Sequence, residues 1–591
     1  MRGSGTMRGD LLALGALCAI TFFVGLTTHG LTNWQEAQRA LVARDMAARG
    51  DWLVPTVDGV PYLAKPPMIY WAQMAVAGLR GDEPSELDLR LVVALSGALG
   101  VLATYFVARR LLADTLLEGA APAVVQRGAF WSAATLATGT LYVRSSRIGE
   151  LDILLVPAVV VAVGAVHHAW RRWRLEGRQS PWAILLAAAA ACCAALTKGP
   201  PGVLVIGLAG YGAIVLDSAW SGRQSTRRAA VGVVAGLLTS AATTALVSGW
   251  PRDANETLGL ALLSIGLAWV GAEIARADGL VVLRALARTH PVIVLGAPLG
   301  ALWAWGALVS RRIGHDAVAG AAAAEAEDNL RIWVLDSPVT NVEAASYGVG
   351  LGSALAIIML LWLARRRPRF GPGWAVTAAW VGLSMVAFSV LGKGVARYLT
   401  PMWPGVAMIA GLGVALASMP AGAGGLGAAR FRGVRAGLCV IVVALGAGQG
   451  LWYGYGREAL YQWRSPRSLV RELQRAGLVD APPVSLDIWE PSLDYYVGAR
   501  VQPYTTGLLR APGFVRPRDV AQLRADLEAA GGGWRIVFLF DRPDDDAEPG
   551  APIEALRRAG LMVQTLPIRS AWRIDESPVT AVRVAPAPGP G

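Results

Sequence analysis

Apolar runs close to 20 residues long, separated by short polar turns, fill the first three quarters of the chain. A run of that length crosses a hydrocarbon core of about 30 Å as a helix. The pattern predicts spanning helices at 11–30, 88–108, 127–145, 151–170, 181–197, 200–217, 228–249, 256–275, 291–310, 346–364, 373–391, 396–418 and 432–453, about thirteen in all. Two connections are long, from about Thr32 to Leu87 and from about Arg311 to Ala345. Within the first, 66–79 is apolar but too short to span, which suits an interfacial or re-entrant helix. In the second, the Ala-rich stretch 317–326 reads as a flexible or helical cover.

The pattern changes near Gly456. The region 457–591 carries short runs of strand length, "PVSLDIW", "WRIVFLF" and "LMVQTLP", alternating with amphipathic stretches that end in glycine. This predicts a small soluble α/β domain, and the tail "VAPAPGPG" reads as disordered. The fold class is therefore a polytopic α-helical membrane protein, with a membrane domain at 1–456 and a small C-terminal α/β domain. With 54% hydrophobic and only 16% charged residues, the composition lies far from the soluble norm of about 25% charged.

Charge then orients the chain. With a cytoplasmic N-terminus, nearly every strongly basic turn falls on one side: Arg109/Arg110, the cluster at 171–178, Arg223/Arg227/Arg228, Arg276/Arg284/Arg288, the run at 365–369 and Arg430/Arg432. This is the positive-inside pattern. The net charge of +12 reads as a topology signal, and no nucleic-acid partner is implied. An odd number of spans places the C-terminal domain on the exoplasmic side of the membrane. The four cysteines all lie in predicted spans and read as small buried residues.

Against this background the polar groups at the outer edge stand out. "NWQEAQRALVARDMAARGDW" reads as a helix capped by Asn33, with Glu36 as its capping-box partner and Gly50 as its stop. Its bland reading is an interfacial helix with a Glu36–Arg39 pair contributing about 0.2–0.5 kcal/mol. Lys65 precedes Pro66-Pro67 with Tyr62, Tyr70 and Trp71 nearby. It suits either a snorkelling anchor or a phosphate-binding charge near a helix start. "VRSSRIGELDILL" presents Arg144, Arg147, Glu150 and Asp152; "ALTKGPPG" presents Lys198; "LGKGVARYLTPMWP" presents Lys393, Arg397 and Tyr398. Such a rim fits an anionic lipid head group, with acids placed to act on what the lipid carries. The five histidines show no ligand spacing, so no metal or cofactor is expected. The acidic run 541–549 reads as a solvated loop.

On these residues the chain resembles the GT-C membrane glycosyltransferases that use polyprenyl-phosphate sugars, nearest the aminoarabinose lipid A transferases and more distantly the protein O-mannosyltransferases. The match rests on "QEAQRALVARDMAARGDWLVPTVDGVPYLAKPPMIYW" and extends through "RSSRIGELDILL", "ALTKGPPG" and "RYLTPMWPGVAMIAG". The resemblance implies a GT-C fold, an inverting transfer from a polyprenyl-phosphate-linked donor to a lipid, glycan or protein acceptor, and no metal. It implies Glu36 and Asp152 as catalytic acids, Lys65, Arg39 and Arg397 at the donor phosphate, and Gln35, Tyr62, Tyr70, Trp71, Arg147, Glu150, Lys198, Lys393 and Tyr398 in the substrate pocket. The family has an Asp-Glu pair where this chain has Gln35-Glu36, and its following arginine would fall on Gln38. A one-residue slip restores the acid-x-x-Arg arrangement as Glu36 and Arg39. Two other readings remain: a lipid transporter or flippase, against which stands the absence of paired repeats and of charges through span interiors, and a decayed homologue, suggested by Gln35.

Overall fold

A computed structural model describes residues 4–57, 59–116, 121–221, 234, 238, 254–330, 337–366, 370–391, 396–420, 425–457, 462–479, 481–507, 509, 517–540, 551–568, 572–574 and 577–588. The chain divides into two compact units, one of 1–24, 63–69 and 90–450, the other of 25–62, 70–89 and 451–591.

The first unit is a helical bundle. Among the described residues, nine helices are long and apolar enough to cross a membrane, from Glu86–Thr115 to Arg430–Gly456. Each coincides with a predicted span. The predicted span 228–249 lies outside the described residues, save 234 and 238. Three others differ from expectation. The first helix, Ser4–Cys18, continues as a π-turn only to Phe23, where 11–30 was predicted. Gly25 then turns with φ +63°, and a β-carbon there would strike the backbone of Gly454.

The predicted span 127–145 is two helices, Pro122–Ala137 and Thr140–Ser145, and the predicted span 346–364 begins only at Leu351. The two breaks lie against each other, because a β-carbon on Gly139 would touch the backbone of Gly348 and Val349. Irregular backbone at membrane depth requires internal partners. Gln449 Nε2 donates to the Thr138 carbonyl at 2.9 Å, and Ser353 Oγ accepts from the Val349 amide at 3.3 Å.

Bundle packing relies on small residues. Helices Pro122–Ala137 and Trp403–Ala417 approach so closely that a β-carbon on Gly411 would overlap Ser132 Oγ and the Gly128 carbonyl. Small-residue contact lets dispersion act across the backbones where lipid supplies no hydrophobic driving force.

The second unit joins outer-loop segments to the C-terminal α/β layer. In the loop, helix Trp34–Ala48 is followed by a hairpin of β1 (Thr56–Val57) and β2 (Val60–Pro61). The Asp45 carboxylate holds that hairpin by accepting from Thr56 Oγ1 and from the Gly59 amide. The C-terminal layer has β3 (Val484–Leu486), β4 (Gln502–Thr505), β5 (Arg518–Asp519), β6 (Arg535–Phe540), β7 (Leu561–Thr565), β8 (Arg573–Ile574) and β9 (Ser577–Pro586). The sheet order is β5-β4-β3-β6-β9-β7, parallel from β5 to β6 and antiparallel around β9, with β8 on β9.

The two-residue period of β6 sends Ile536 and Phe538 into one core with Leu469, Leu473 and Trp572, and Val537 and Leu539 into another with Leu486, Leu527 and Leu556. The three runs read as strands are β3, β6 and β7. The expected disordered tail is corrected in part: Val584 is buried and pairs with Arg535 and Val563, so order continues through β9. The acidic run 541–549 lies outside the described residues.

Candidate functional site

Two helix ends in the first unit set up its most concentrated polar arrangement. Helix Pro181–Lys198 finishes at Lys198; Gly199, at φ +79°, turns the chain, and Pro200 opens the next helix with no amide to leave unpaired. Asp152 opens helix Asp152–Glu176. A cation at a helix C-terminus and a carboxylate at an N-terminus both complement the helix dipole. The two ends meet: Lys198 Nζ donates to Asp152 Oδ1, with side chains only 10% and 4% exposed.

The ammonium also lies 4.0 Å from the centroid of the Tyr398 ring, a cation–π contact. Tyr398 sits in the 3₁₀ segment Ala396–Met402, held by Trp380 Nε1 donating to the Pro401 carbonyl at 2.9 Å. Arg397 lies 6.0 Å from the same ring, and the positive charges of Arg397 and Lys65 both act on Lys198. The Lys198 ammonium is thus where one carboxylate, one aromatic ring and two further cations meet. Lys393 lies outside the described residues.

Lys198 and Tyr398 sit in the wall of an otherwise mostly apolar cavity of about 500 Å³. Its other walls include Leu63 and Pro66 beside Lys65, Leu204, Trp305, Phe388, and Val318, Ala321 and Ala322. The last three belong to helix His315–Leu330, so the Ala-rich stretch is a helical cover over this cavity. Sequence reading did not place Trp305, Phe388 or Val318 near the charges. The 318/321/322 spacing marks one face of a helix, but nothing local to it identifies what that face covers.

Neighbouring polar residues have other work. Arg147 is buried and donates to the carbonyls of Thr21 and Val24, which makes it a latch on the end of the first helix instead of an open pocket cation. Glu150, also buried, accepts from Ser145 Oγ at 2.9 Å and pairs with Arg144 at 3.2 Å. Asp152 meets a lysine, which leaves its carboxylate engaged and not poised as an open base.

In the second unit, Asn33 caps helix Trp34–Ala48 by accepting from the Gln35 amide at 2.9 Å, while the Glu36 carboxylate reaches back to the Thr32 amide at 3.4 Å. Gly50 turns with φ +62° just past the helix. The interfacial reading is corrected in one respect: the helix buries polar residues as well as the apolar Leu41, Val42 and Met46. Glu36, Gln38 and Arg39 are 0%, 3% and 8% exposed, whereas Trp34 is 44% exposed. Arg39 donates to Gln35 Oε1 at 3.3 Å. Tyr62 donates to Gln38 at 3.2 Å, Gln73 to the Arg39 carbonyl at 3.4 Å, and Trp71 to the Trp52 carbonyl; Tyr70 is fully buried. A wholly buried carboxylate and a nearly buried guanidinium on one helix are costly unless satisfied.

Known proteins resemble the chain in parts of its sequence and in its fold. A family model described as dolichyl-phosphate-mannose-protein mannosyltransferase matches residues 64–245. The chain is 33% identical over 93 residues to undecaprenyl phosphate-alpha-4-amino-4-deoxy-L-arabinose arabinosyl transferase 2 of Pseudomonas fluorescens, 16% of each chain. It is 34% identical over 112 residues to the corresponding arabinosyl transferase of Edwardsiella ictaluri, 19% of each. The matched segments thus span less than a fifth of these relatives. The structure of ArnT from Cupriavidus metallidurans bound to undecaprenyl phosphate superposes with a TM-score of 0.59 at 18% identity, covering 98% of both chains.

The chain shares the fold of that structure.

In sequence, the matched segments are similar to aminoarabinose transferases. Among the described residues, no group of three or more His, Cys, Asp or Glu is arranged to hold a metal.

Proposed function

We propose that this protein is a GT-C glycosyltransferase of the inner membrane, moving a sugar from a polyprenyl-phosphate carrier to an acceptor on the outer face. The observation that supports the proposal is the buried Lys198–Asp152 pair, with the charges of Lys65 and Arg397 acting on the same ammonium, in the wall of an apolar cavity of about 500 Å³. An apolar chamber with cationic side chains at its wall suits a phosphate on a hydrocarbon chain.

In the proposed reaction an acceptor oxygen forms a bond to the anomeric carbon as the bond to the carrier phosphate oxygen breaks, with inversion. The phosphate keeps the electron pair, and Lys65 and Arg397 stabilise its charge. Asp152 acts chiefly by holding the Lys198 ammonium over Tyr398, a positioning role. Glu36 is proposed on its sequence motif as the carboxylate that takes a hydroxyl acceptor's proton, with Arg39 as its partner. The reaction uses no metal. The basic turns support a cytoplasmic N-terminus and a periplasmic C-terminal layer. The acceptor is a lipid A-like lipid, a glycan or a protein.

The test incubates purified full-length protein with labelled polyprenyl-phosphate sugar and envelope lipids or proteins, beside Lys65→Ala and Glu36→Gln. Transfer by the wild type, with loss of roughly 100-fold or more in each variant, is the expected outcome. Donor binding without transfer to any acceptor defeats the enzyme reading in favour of a carrier or a decayed homologue. Full activity in Glu36→Gln defeats that assignment alone.

A further inference from the structure

The bundle holds a second, larger cavity that the proposed reaction does not use. It measures about 890 Å³ and lies among helices Glu86–Thr115, Pro122–Ala137, Asp152–Glu176 and Pro181–Lys198. Its polar residues are at the far ends of the helices that carry Asp152 and Lys198. Asp152 and Arg171 are separated by roughly 28 Å along one helix, and Trp182 and Lys198 by roughly 24 Å along another, at about 1.5 Å per residue. Those are membrane-scale distances, so the two cavities belong to opposite edges of the bundle.

The chemistry of this cavity is uneven. Arg109, Arg110 and Arg171 face a single carboxylate, Asp114. That carboxylate is already engaged twice, by Arg171 at 2.5 Å and by His167 Nε2 at 2.8 Å. Arg110 is exposed and has no hydrogen-bond or ion-pair partner among the described residues. His167 is 2% exposed, and its Nδ1 has no hydrogen-bond partner among the described residues. His168 lies tilted against Trp182 with ring centroids 4.9 Å apart. Between and beyond these groups the walls are apolar, with Phe106, Val125 and Leu186 among them.

The positive-inside tendency accounts for arginines at this edge, but it requires neither a cavity of ligand size, about 300–1,000 Å³, nor a buried histidine–aspartate pair in its wall. Surplus guanidinium beside an apolar chamber at a bundle edge is the composition that holds an anionic lipid head group with its chain tucked between helices. We infer that this cavity binds one anionic phospholipid of the leaflet opposite the Lys198 cavity, its phosphate on Arg110 and Arg171 and its upper acyl chain against Phe106, Val125 and Leu186. No chemistry occurs there; the bound lipid braces the ends of four helices.

The experiment uses full-length protein, delipidated in neutral detergent and melted with increasing phosphatidylglycerol, phosphatidylcholine, glycerol phosphate or inorganic phosphate. Native mass spectrometry counts retained lipid. Phosphatidylglycerol should raise the melting temperature and remain bound at one per chain, with phosphatidylcholine weaker and the two soluble anions without effect. The Arg110→Gln/Arg171→Gln variant should raise the half-saturating phosphatidylglycerol concentration at least roughly tenfold, the worth of one lost charge-assisted hydrogen bond. Should that variant not fold, Arg110→Gln, at an exposed position, reads the same shift at smaller size. Equal protection by soluble phosphate, or a half-saturating concentration unchanged in both variants, overturns the proposal.

Discussion

The Lys198–Asp152 pair shows how a local motif acquires meaning from a distant partner. "ALTKGPPG" is legible as a helix end followed by a helix start, and "ELDILL" as an acid opening a helix. Neither sequence says that the two charges touch 46 positions apart. Because both side chains are nearly buried, removing one partner leaves the other as an uncompensated charge. Lys198→Ala should therefore destabilise the protein by about 3–5 kcal/mol, seen as a lowered melting temperature in detergent. The double variant Lys198→Ala/Asp152→Asn should recover most of that loss, because no lone charge remains. Equal melting of the single and double variants would show that the carboxylate finds water or another cation. At the same scale, Glu36 and Arg39 were legible as neighbours on one helix face, but their burial beside Leu41 and Val42 was not.

At the scale of elements, hydrophobic run length located the helices well because length against bilayer thickness is a local property. It failed where a helix breaks. The sequence around Gly139 reads as one apolar run, and the break there is set by the opposing break at Gly348–Gly350, which no single segment encodes. Close packing has the same origin. A methyl group at Gly411 would overlap Ser132 and the Gly128 carbonyl, so Gly411→Ala should cost about 1–3 kcal/mol by overpacking. Thermal unfolding of the detergent-solubilised protein reads this directly, and Gly433→Ala, where a β-carbon meets nothing, serves as the neutral control.

The sheet layer offers a pH test. The Tyr504 hydroxyl, and next Arg518, hold the Asp526 carboxyl below the usual carboxylate range, while burial, reinforced by that carboxylate, pushes the Tyr504 phenol up to about 12. A depressed carboxyl contributes stability above its unfolded value near 3.9, lost as pH falls through the folded value. A raised phenol contributes stability below about 10, lost as pH climbs towards 12. Asp526→Asn should therefore melt lower than wild type at pH 7, with the gap closing on acidification through the carboxylate range. A gap independent of pH would assign its cost to packing.

Across the whole molecule, the boundary in sequence near Gly456 is not the boundary in space. The compact unit that contains the C-terminal sheet also takes in 25–62 and 70–89. Arg44 donates to the Tyr495 carbonyl and lies over its ring, the Leu31 amide donates to Tyr496 Oη, and Arg467 donates to the carbonyls of Thr27 and Thr28. Truncation after Gly456 removes these partners together, so helix Trp34–Ala48 should lose amide hydrogen-exchange protection in the truncated protein. Retained protection would show that the loop is ordered without the sheet layer.

The sequence by itself determined what depends on neighbours along the chain: a membrane-spanning helical class from run length, an α/β layer from alternating periods, helix ends from Asn33, Gly50 and Pro200, and the polar residues of the rim. Tertiary structure decided what depends on partners far apart in the chain. It paired Lys198 with Asp152, turned Arg147 into a latch, broke two spans against each other, buried Glu36, and closed an Ala-rich helix over an apolar cavity. The physical reason is that periodicity and capping act within a few residues, whereas burial, charge pairing and cavity formation depend on which surfaces meet when the chain packs.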